Sequence, residues 1–435
     1  MGNSPPSAAY LVLDSAVGKQ LFVADGSRLY GLPQAVDLDK KQIERIVRDL
    51  TGVPFIDSSP LEPPGLQTLS LNVAQACNMG CRYCYADEGA FNGRSRLMSR
   101  ATARAAVDRL ILESREGADL VVGFMGGEPF LAREVVHDTV AYAEQATRAS
   151  GRTVRFSLTT NATLIEPGDA RLMAEHPFQV AFSVDGPRDL HDRLRPLRVA
   201  GSAYDRMLRS LRLIEEAGRP RHLSARATIT PLSADLPRLL DHVLALGFDS
   251  VGFATVLVSP DPALAFAAGD FSGLLAGMID CAERAKRAIV ERRKYPFSNF
   301  ETALNEIRRG SHRPYPCGAG AAYLSVNAEG ELFACHRLID DPAYRFGDVA
   351  SGSDVARRAE HLDARHVDKQ EPCRSCWARY LCGGGCYHEV DRRGRVACDY
   401  IRGWLEYCLG AYAELVHTAP SYFSDPSGHF EESRR

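Results

Sequence analysis

From Leu69 to about Val258, short runs rich in β-branched and apolar residues alternate with stretches whose apolar positions recur every three or four residues. The runs Leu69–Val73, Leu120–Met125, Val154–Thr159, Gln179–Val184, Ser224–Ile229 and Ser250–Val256 predict six strands. Helices are predicted between them at Ala101–Ser114, Glu134–Ala149, Tyr204–Ala217 and Asp235–Leu246. Six strands joined by crossover helices imply a parallel sheet, and an open six-stranded partial barrel or a doubly wound sheet both satisfy the pattern. In either, functional groups sit at the C-terminal ends of the strands.

The flanks read differently. Ala9–Leu13 and Gln20–Ala24 predict a hairpin, and Asp39–Leu50 predicts a helix whose apolar face is Ile43, Ile46, Val47 and Leu50. The Pro-rich run Ser58–Gly65 predicts a linker. Residues 1–65 are thus expected to be a small α+β unit and residues 66–270 the α/β body. Residues 271–310 read as a helical connector. Residues 311–410, with cysteines, glycines and short apolar runs, read as a loop-rich domain stapled by metal. Residues 411–435 end a helix and finish in a tail disordered over the last dozen residues.

Composition narrows the function. A chain of 435 residues with 45% hydrophobic content is long enough for more than one core. A net charge of −3, from 52 basic against 55 acidic residues, gives no support for a nucleic-acid or membrane-surface partner. No apolar run near the membrane-spanning length stands out, and the N-terminus lacks a signal-peptide layout, so a cytoplasmic protein is expected. Thiols there stay reduced, and the twelve cysteines read as metal ligands rather than disulfides. Three lie at 77–84 and seven between 317 and 398, while Cys281 and Cys408 stand apart as core residues.

Cys77-Asn78-Met79-Gly80-Cys81-Arg82-Tyr83-Cys84 is a C-x3-C-x2-C loop directly after a strand. Three thiolates on one short loop suit three irons of a cubane and leave the fourth open to an amino and a carboxyl group; a partial zinc site is the plainer alternative. Gly126-Gly127-Glu128-Pro129 follows the second strand. Its glycines permit close backbone approach to a ligand, and Glu128 is expected to accept hydrogen bonds from an ammonium group. Thr160-Asn161 follows the third strand, Ser183-Val184-Asp185-Gly186 the fourth, and Arg226 lies within the fifth. Arg193, Arg195 and Arg198 read either as carboxylate contacts or as a solvated basic face.

In this order the motifs resemble the radical SAM superfamily. The resemblance implies a partial (β/α)6 TIM-type barrel and a 4Fe–4S cluster on Cys77, Cys81 and Cys84. It implies S-adenosyl-L-methionine as cofactor, held by Tyr83, Gly126, Gly127, Glu128, Asn161, Ser183 and Arg226. The implied reaction is reductive cleavage to methionine and a 5′-deoxyadenosyl radical, which takes a hydrogen from the substrate.

The later cysteines run Cys317-x17-Cys335, then Cys373-x2-Cys376-x5-Cys382-x3-Cys386, then Cys398. The quartet alone reads as a zinc ribbon, but seven cysteines exceed one four-ligand site, and two centres are more natural. This stretch resembles the SPASM extension of radical SAM peptide maturases. That implies one auxiliary 4Fe–4S cluster on Cys373, Cys376, Cys382 and Cys398 and a second on Cys317, Cys335 and Cys386. Three clusters result. The second set lacks a fourth cysteine, which leaves an open iron or a ligand from Cys408, an Asp, a His or the substrate.

Within that group the chain resembles the maturases of quinohemoprotein amine dehydrogenase, PqqE and the thioether- or cyclophane-forming enzymes. A precursor peptide or protein substrate follows, with a reductant such as flavodoxin or ferredoxin. A thioether or carbon–carbon crosslink is the expected product. His336 stands where sulfatase-maturating enzymes carry an aspartate base, and is the candidate base here. That departure, with the extra N-terminal residues, counts against formylglycine formation, the alternative activity. The non-enzyme alternative, an iron–sulfur electron carrier, has no use for an open cluster beside a GGEP loop. The N-terminal unit reads either as a leader-peptide binder working by β-augmentation or as an appendage capping the barrel.

Overall fold

The computed structural model describes residues 9–33, 38–51, 62–91 and 93–424. Half of the expected linker at 58–65 and all but one residue of the expected tail lie outside these residues.

The N-terminal unit is a three-stranded antiparallel sheet, β1 (Tyr10–Ser15), β2 (Gly18–Val23) and β3 (Arg28–Gly31), followed by α1 (Lys40–Leu50). The predicted hairpin gains a third strand, too short to show alternation. Asp39 caps α1 by accepting from the Gln42 amide at 2.9 Å while the Gln42 side chain accepts from the Asp39 amide at 2.8 Å. Ile43, Ile46 and Val47 pack on Leu21 and Val23. Leu50, expected on that face, is 43% exposed instead, because the helix ends there and its side chain passes the rim of the sheet. The unit rests on the C-terminal region: Phe22 meets Trp377 edge-on at 5.9 Å, and Leu13 lies against Gly410.

The body is built from β4 (Thr68–Gln75), the short β5 (Arg96–Leu97), α2 (Arg100–Glu113), β6 (Asp119–Gly126), α3 (Arg133–Ala149), β7 (Thr153–Thr160), α4 (Pro167–Glu175), β8 (Phe178–Ser183), α5 (Arg188–Leu194), α6 (Ala203–Ala217), β9 (His222–Ile229), α7 (Leu236–Leu244) and β10 (Ser250–Thr255). Strands β4, β6, β7, β8, β9 and β10 pair in parallel in chain order, the arrangement of a partial TIM-type barrel. Alternation sorts each strand. Phe124, Phe156 and Phe178 stack on one another on the helix-facing side, with centroids 5.1 to 6.2 Å apart. Ser157, Thr159, Ser183, Arg226 and Thr228 occupy the alternate positions.

Two helices follow, α8 (Phe271–Val290) and α9 (Ser298–Arg309). The stretch Pro262–Val290 is long and apolar enough to cross a membrane by length and composition, contrary to the sequence-based expectation. Its apolar side serves the core: Leu274, Met278, Cys281, Ala282 and Ala285 are buried, and Lys286 pairs with Glu414 at 2.9 Å.

The sheet then continues. β11 (Tyr323–Val326) pairs in parallel with β4, and β12 (Glu331–Phe333), β13 (Arg345–Asp348) and β14 (Gly352–Ser353) extend it as an antiparallel meander, giving eleven strands. The cysteine-rich region is therefore joined to the barrel by one continuous sheet. It ends in α10 (Val355–Arg365), α11 (Arg379–Cys382), α12 (Tyr387–Arg393), α13 (Cys398–Thr418) and α14 (Pro420–Ser424).

Candidate active site

The loop carrying Cys77, Cys81 and Cys84 leaves the end of β4 and is fixed by the chain that follows α5. The Gly80 amide donates to the Pro196 carbonyl at 2.9 Å, the Arg82 amide to the Leu194 carbonyl at 3.1 Å, and the Arg198 amide to the Asn78 carbonyl at 3.2 Å. Met79 is fully buried beneath it. Burial, then the charge of Glu128, pushes the Cys77 thiol up to about 11, and burial pushes Cys81 up to about 12. Such thiols become thiolates when a cation joins them, which suits metal ligands.

Three buried side chains brace the loop from behind. The Arg195 guanidinium donates to the Tyr83 hydroxyl at 2.5 Å and lies 3.8 Å from an Asp185 oxygen, and the Tyr83 hydroxyl also donates to Asp185. Asp185 further accepts from the Thr228 amide at 2.9 Å, which ties β9 into the group. Arg195 is 7% exposed, so it is no part of a solvated basic face: it is an internal counterion, while Arg193 and Arg198 face solvent. The signal was present in the His191–Arg195 helical spacing, since the Arg195 amide bonds the His191 carbonyl at 2.8 Å. Asp185 entered the sequence reading only as part of a turn motif.

A Cβ at Gly126 would lie 2.3 Å from the Ala74 carbonyl oxygen, and one at Gly127 would lie 2.2 Å from that of Ala76. The glycines thus admit the close approach of β4 and the segment after it. The Gly127 and Glu128 amides bond those same carbonyls, at 2.8 and 2.9 Å. Glu128 is fully buried and accepts from the Thr160 hydroxyl at 2.7 Å, the Asn161 amide at 2.8 Å and the Phe130 amide at 3.2 Å. These three donors fix the carboxylate in place, and burial raises its pKa to about 6. Asn161 carries the link onward: its side-chain amide donates to Asn78 at 2.9 Å and approaches the Cys77 sulfur at 3.8 Å. Gly127→Ala should cost about 1–3 kcal/mol, because the obstacle is backbone. A thermal melt beside a cofactor-binding titration checks this, with both lowered.

One cavity is lined by Cys77, Cys81, Cys84, Tyr83, Gly126, Gly127, Asn161 and Ser183, together with Thr159, Thr228 and Arg195. Its far wall belongs to the C-terminal region, through Arg337 and Glu389, which pair at 2.8 Å. Arg226 is within electrostatic reach of that pair. Tyr85, absent from the sequence reading, also lines the cavity, and its electrostatic neighbours include both Cys84 and Cys335. The Arg337 guanidinium lies 5.1 Å from the Tyr85 ring centre, and the His336 and His388 rings meet its edge. His336 has its Nδ1 3.1 Å from the Tyr323 hydroxyl; burial, with Arg337, Arg226 and His388 nearby, holds its pKa down to about 3.

The later cysteines form two neighbourhoods. Cys373, Cys376, Cys382 and Cys398 are mutual electrostatic neighbours and line one cavity, which Cys386 borders as well. Cys335 has Cys386 and Cys317 as its neighbours. The Cys382-to-Cys386 turn needs its glycines: Gly383 has φ +73°, and a Cβ there would lie 2.4 Å from the Tyr315 backbone. Cys408 is fully buried on α13 with no cysteine among its electrostatic neighbours, so it does not complete the second set. Among the described residues no three His, Cys, Asp or Glu side chains converge on a point tightly enough to hold one metal ion.

Residues 71–251 match the family model described as the Radical SAM superfamily. The serine-type anaerobic sulfatase-maturating enzyme of Klebsiella aerogenes is 25% identical over 362 residues, which span 79% of this chain and 86% of that protein. The cysteine-type enzyme of Clostridium perfringens is 25% identical over 379 residues, 82% of this chain and 99% of that protein. Among solved structures, anSMEcpe with bound AdoMet superposes with TM-score 0.68 at 20% identity, covering 82% of this chain and 99% of that one. Streptococcus suis SuiB bound to its precursor peptide SuiA superposes with TM-score 0.51 at 15% identity, covering 90% and 97%. These last two show a shared fold.

Proposed function

We propose that this chain, whose residues 71–251 match the Radical SAM superfamily model and whose C-terminal region carries seven clustered cysteines of the SPASM type, modifies a ribosomally made peptide or protein by closing a thioether or carbon–carbon crosslink. The observation that carries this reading is the shared cavity: its walls come from the barrel loop of Cys77, Cys81 and Cys84 and from Arg337 and Glu389 of the C-terminal region. Crosslinking joins two groups and removes two hydrogens. It therefore needs a hydrogen-atom acceptor on one side and an exit for a proton and an electron on the other.

S-adenosyl-L-methionine at its 4Fe–4S cluster supplies, when bound, the 5′-deoxyadenosyl radical that takes the first hydrogen atom. The residues proposed to hold cluster and cofactor are Cys77, Cys81 and Cys84, with Tyr83, Gly126, Gly127, Asn161, Ser183 and Arg226 around them. Glu128 serves indirectly, by orienting Thr160 and Asn161. His336 is the proposed acceptor of the proton. Cys335, its neighbour in the chain, belongs to the nearer of two proposed auxiliary 4Fe–4S clusters, on Cys317, Cys335 and Cys386. The farther cluster uses Cys373, Cys376, Cys382 and Cys398. A flavodoxin- or ferredoxin-type protein supplies electrons to the resting enzyme. The precursor's leader segment adds to an edge strand, β1 or β3, of the N-terminal sheet. Support for a peptide substrate comes from the SuiB likeness, since that protein was solved with its precursor peptide.

Formylglycine formation on a sulfatase is the second reading. It is favoured by the sulfatase-maturating relatives, one of which spans 82% of this chain. The two separate by product chemistry. We expect co-expression with its precursor peptide to yield a product lighter by two hydrogens and inert to aldehyde-reactive hydrazides. A hydrazide-reactive product, or modification of a sulfatase peptide instead, overturns the crosslinking assignment.

A further inference from the structure

The inner cysteine set offers three thiols, Cys317, Cys335 and Cys386, where a cubane has four corners. The residue after Cys386 is Tyr387, the first of α12. It is 5% exposed, and its hydroxyl makes no hydrogen bond among the described residues. Leaving such a group unsatisfied costs about 1–3 kcal/mol, and a buried orphan in a native fold calls for an explanation.

The ring is held firmly while its oxygen is left unengaged. The His361 ring meets it edge-on at 5.1 Å, and the Arg365 guanidinium stands 5.1 Å from its centre. Cys317 leads its electrostatic neighbours, and Cys386 is among them. By contrast the Tyr323 hydroxyl, which has Cys335 as a neighbour, is already engaged, with Ser325 at 2.9 Å and His336 at 3.1 Å.

We propose that the Tyr387 hydroxyl donates a hydrogen bond to a sulfur of the auxiliary cluster held by Cys317, Cys335 and Cys386, as a positioning residue that raises the cluster's reduction potential. The inference rests on the three-cluster reading above. A donor facing a thiolate or sulfide stabilises negative charge, and it does so more strongly in the reduced state, which carries one more electron. The group that receives the substrate electron must be oxidising enough to accept it, and this hydroxyl acts in that direction.

The test uses the full chain, anaerobically reconstituted, as wild type and as Tyr387→Phe, which keeps the ring packed against His361 and Arg365. In an EPR-monitored redox titration, one auxiliary couple of the variant should move to more negative potential. Iron content and peptide-free 5′-deoxyadenosine formation should stay at the wild-type level. In water exchanged for D2O, ENDOR of the reduced wild-type cluster should show an exchangeable proton coupling that the variant lacks. Unmoved couples with the coupling retained overturn the proposal. Loss of that cluster's iron in the variant also overturns it, by making the phenol a ligand. A wild-type chain with iron for one cluster, about four atoms, instead brings down the three-cluster reading itself, before the variant is compared.

Discussion

Replacing Cys81 by alanine should reduce 5′-deoxyadenosine formation to the level without enzyme, while the fold survives. Cys81 stands between Cys77 and Cys84 on a loop whose backbone is pinned by Pro196, Leu194 and Arg198 rather than by its own side chain. Losing the thiol therefore removes a ligand without unfastening the loop. Outer partners of a metal site cost about 10–100-fold when removed, and a direct ligand should cost more. The check is a single-turnover cleavage assay under strong reductant, alongside circular dichroism. Cleavage within tenfold of wild type would take Cys81 out of the cluster.

Arg195→Met should be the most damaging change outside the cysteines. It leaves Asp185 fully buried with its nearest cation gone and the Tyr83 hydroxyl without its donor. Breaking a buried ion pair from one side typically costs about 3–5 kcal/mol. Burial already raises the Asp185 pKa, so the orphaned acid takes up a proton more readily, and the lower end, about 3 kcal/mol, is expected. The variant should melt earlier and reconstitute with less iron, because the brace stands directly behind the cysteine loop. Adding Asp185→Asn should restore part of the stability, since the uncompensated charge is then removed. A single variant as stable as wild type would show that the group carries no strain-bearing role.

The barrel was legible because each strand is a short buried run bounded by polar turns. Predicted and observed strands differ by one or two residues, as with Leu69–Val73 against Thr68–Gln75. The third strand of the N-terminal sheet escaped notice because four residues, Arg28 to Gly31, are too few to show a period. The join between β4 and β11 could not be read either, since pairing across some 250 residues leaves no local trace. At the site, cysteine spacing carried far. What it missed were groups acting through others. The burial of Glu128 was one of these, since a carboxylate after two glycines suggests an exposed turn, while three donors from Phe130, Thr160 and Asn161 hold it inside. Tyr85, Arg337 and Glu389 meet in one cavity from segments about 250 to 300 residues apart, and only the fold brings them together.

The central claim is that this enzyme spends its radical on closing a bond within a peptide. The most direct measurement is the ratio of 5′-deoxyadenosine formed to hydrogen pairs lost from the precursor peptide, followed over one anaerobic time course. The account predicts one 5′-deoxyadenosine for each two-hydrogen mass loss, with tandem mass spectra that do not fragment between the joined residues. Cofactor cleavage that proceeds while the peptide mass stays unchanged, or a mass loss that leaves a free aldehyde, would contradict it.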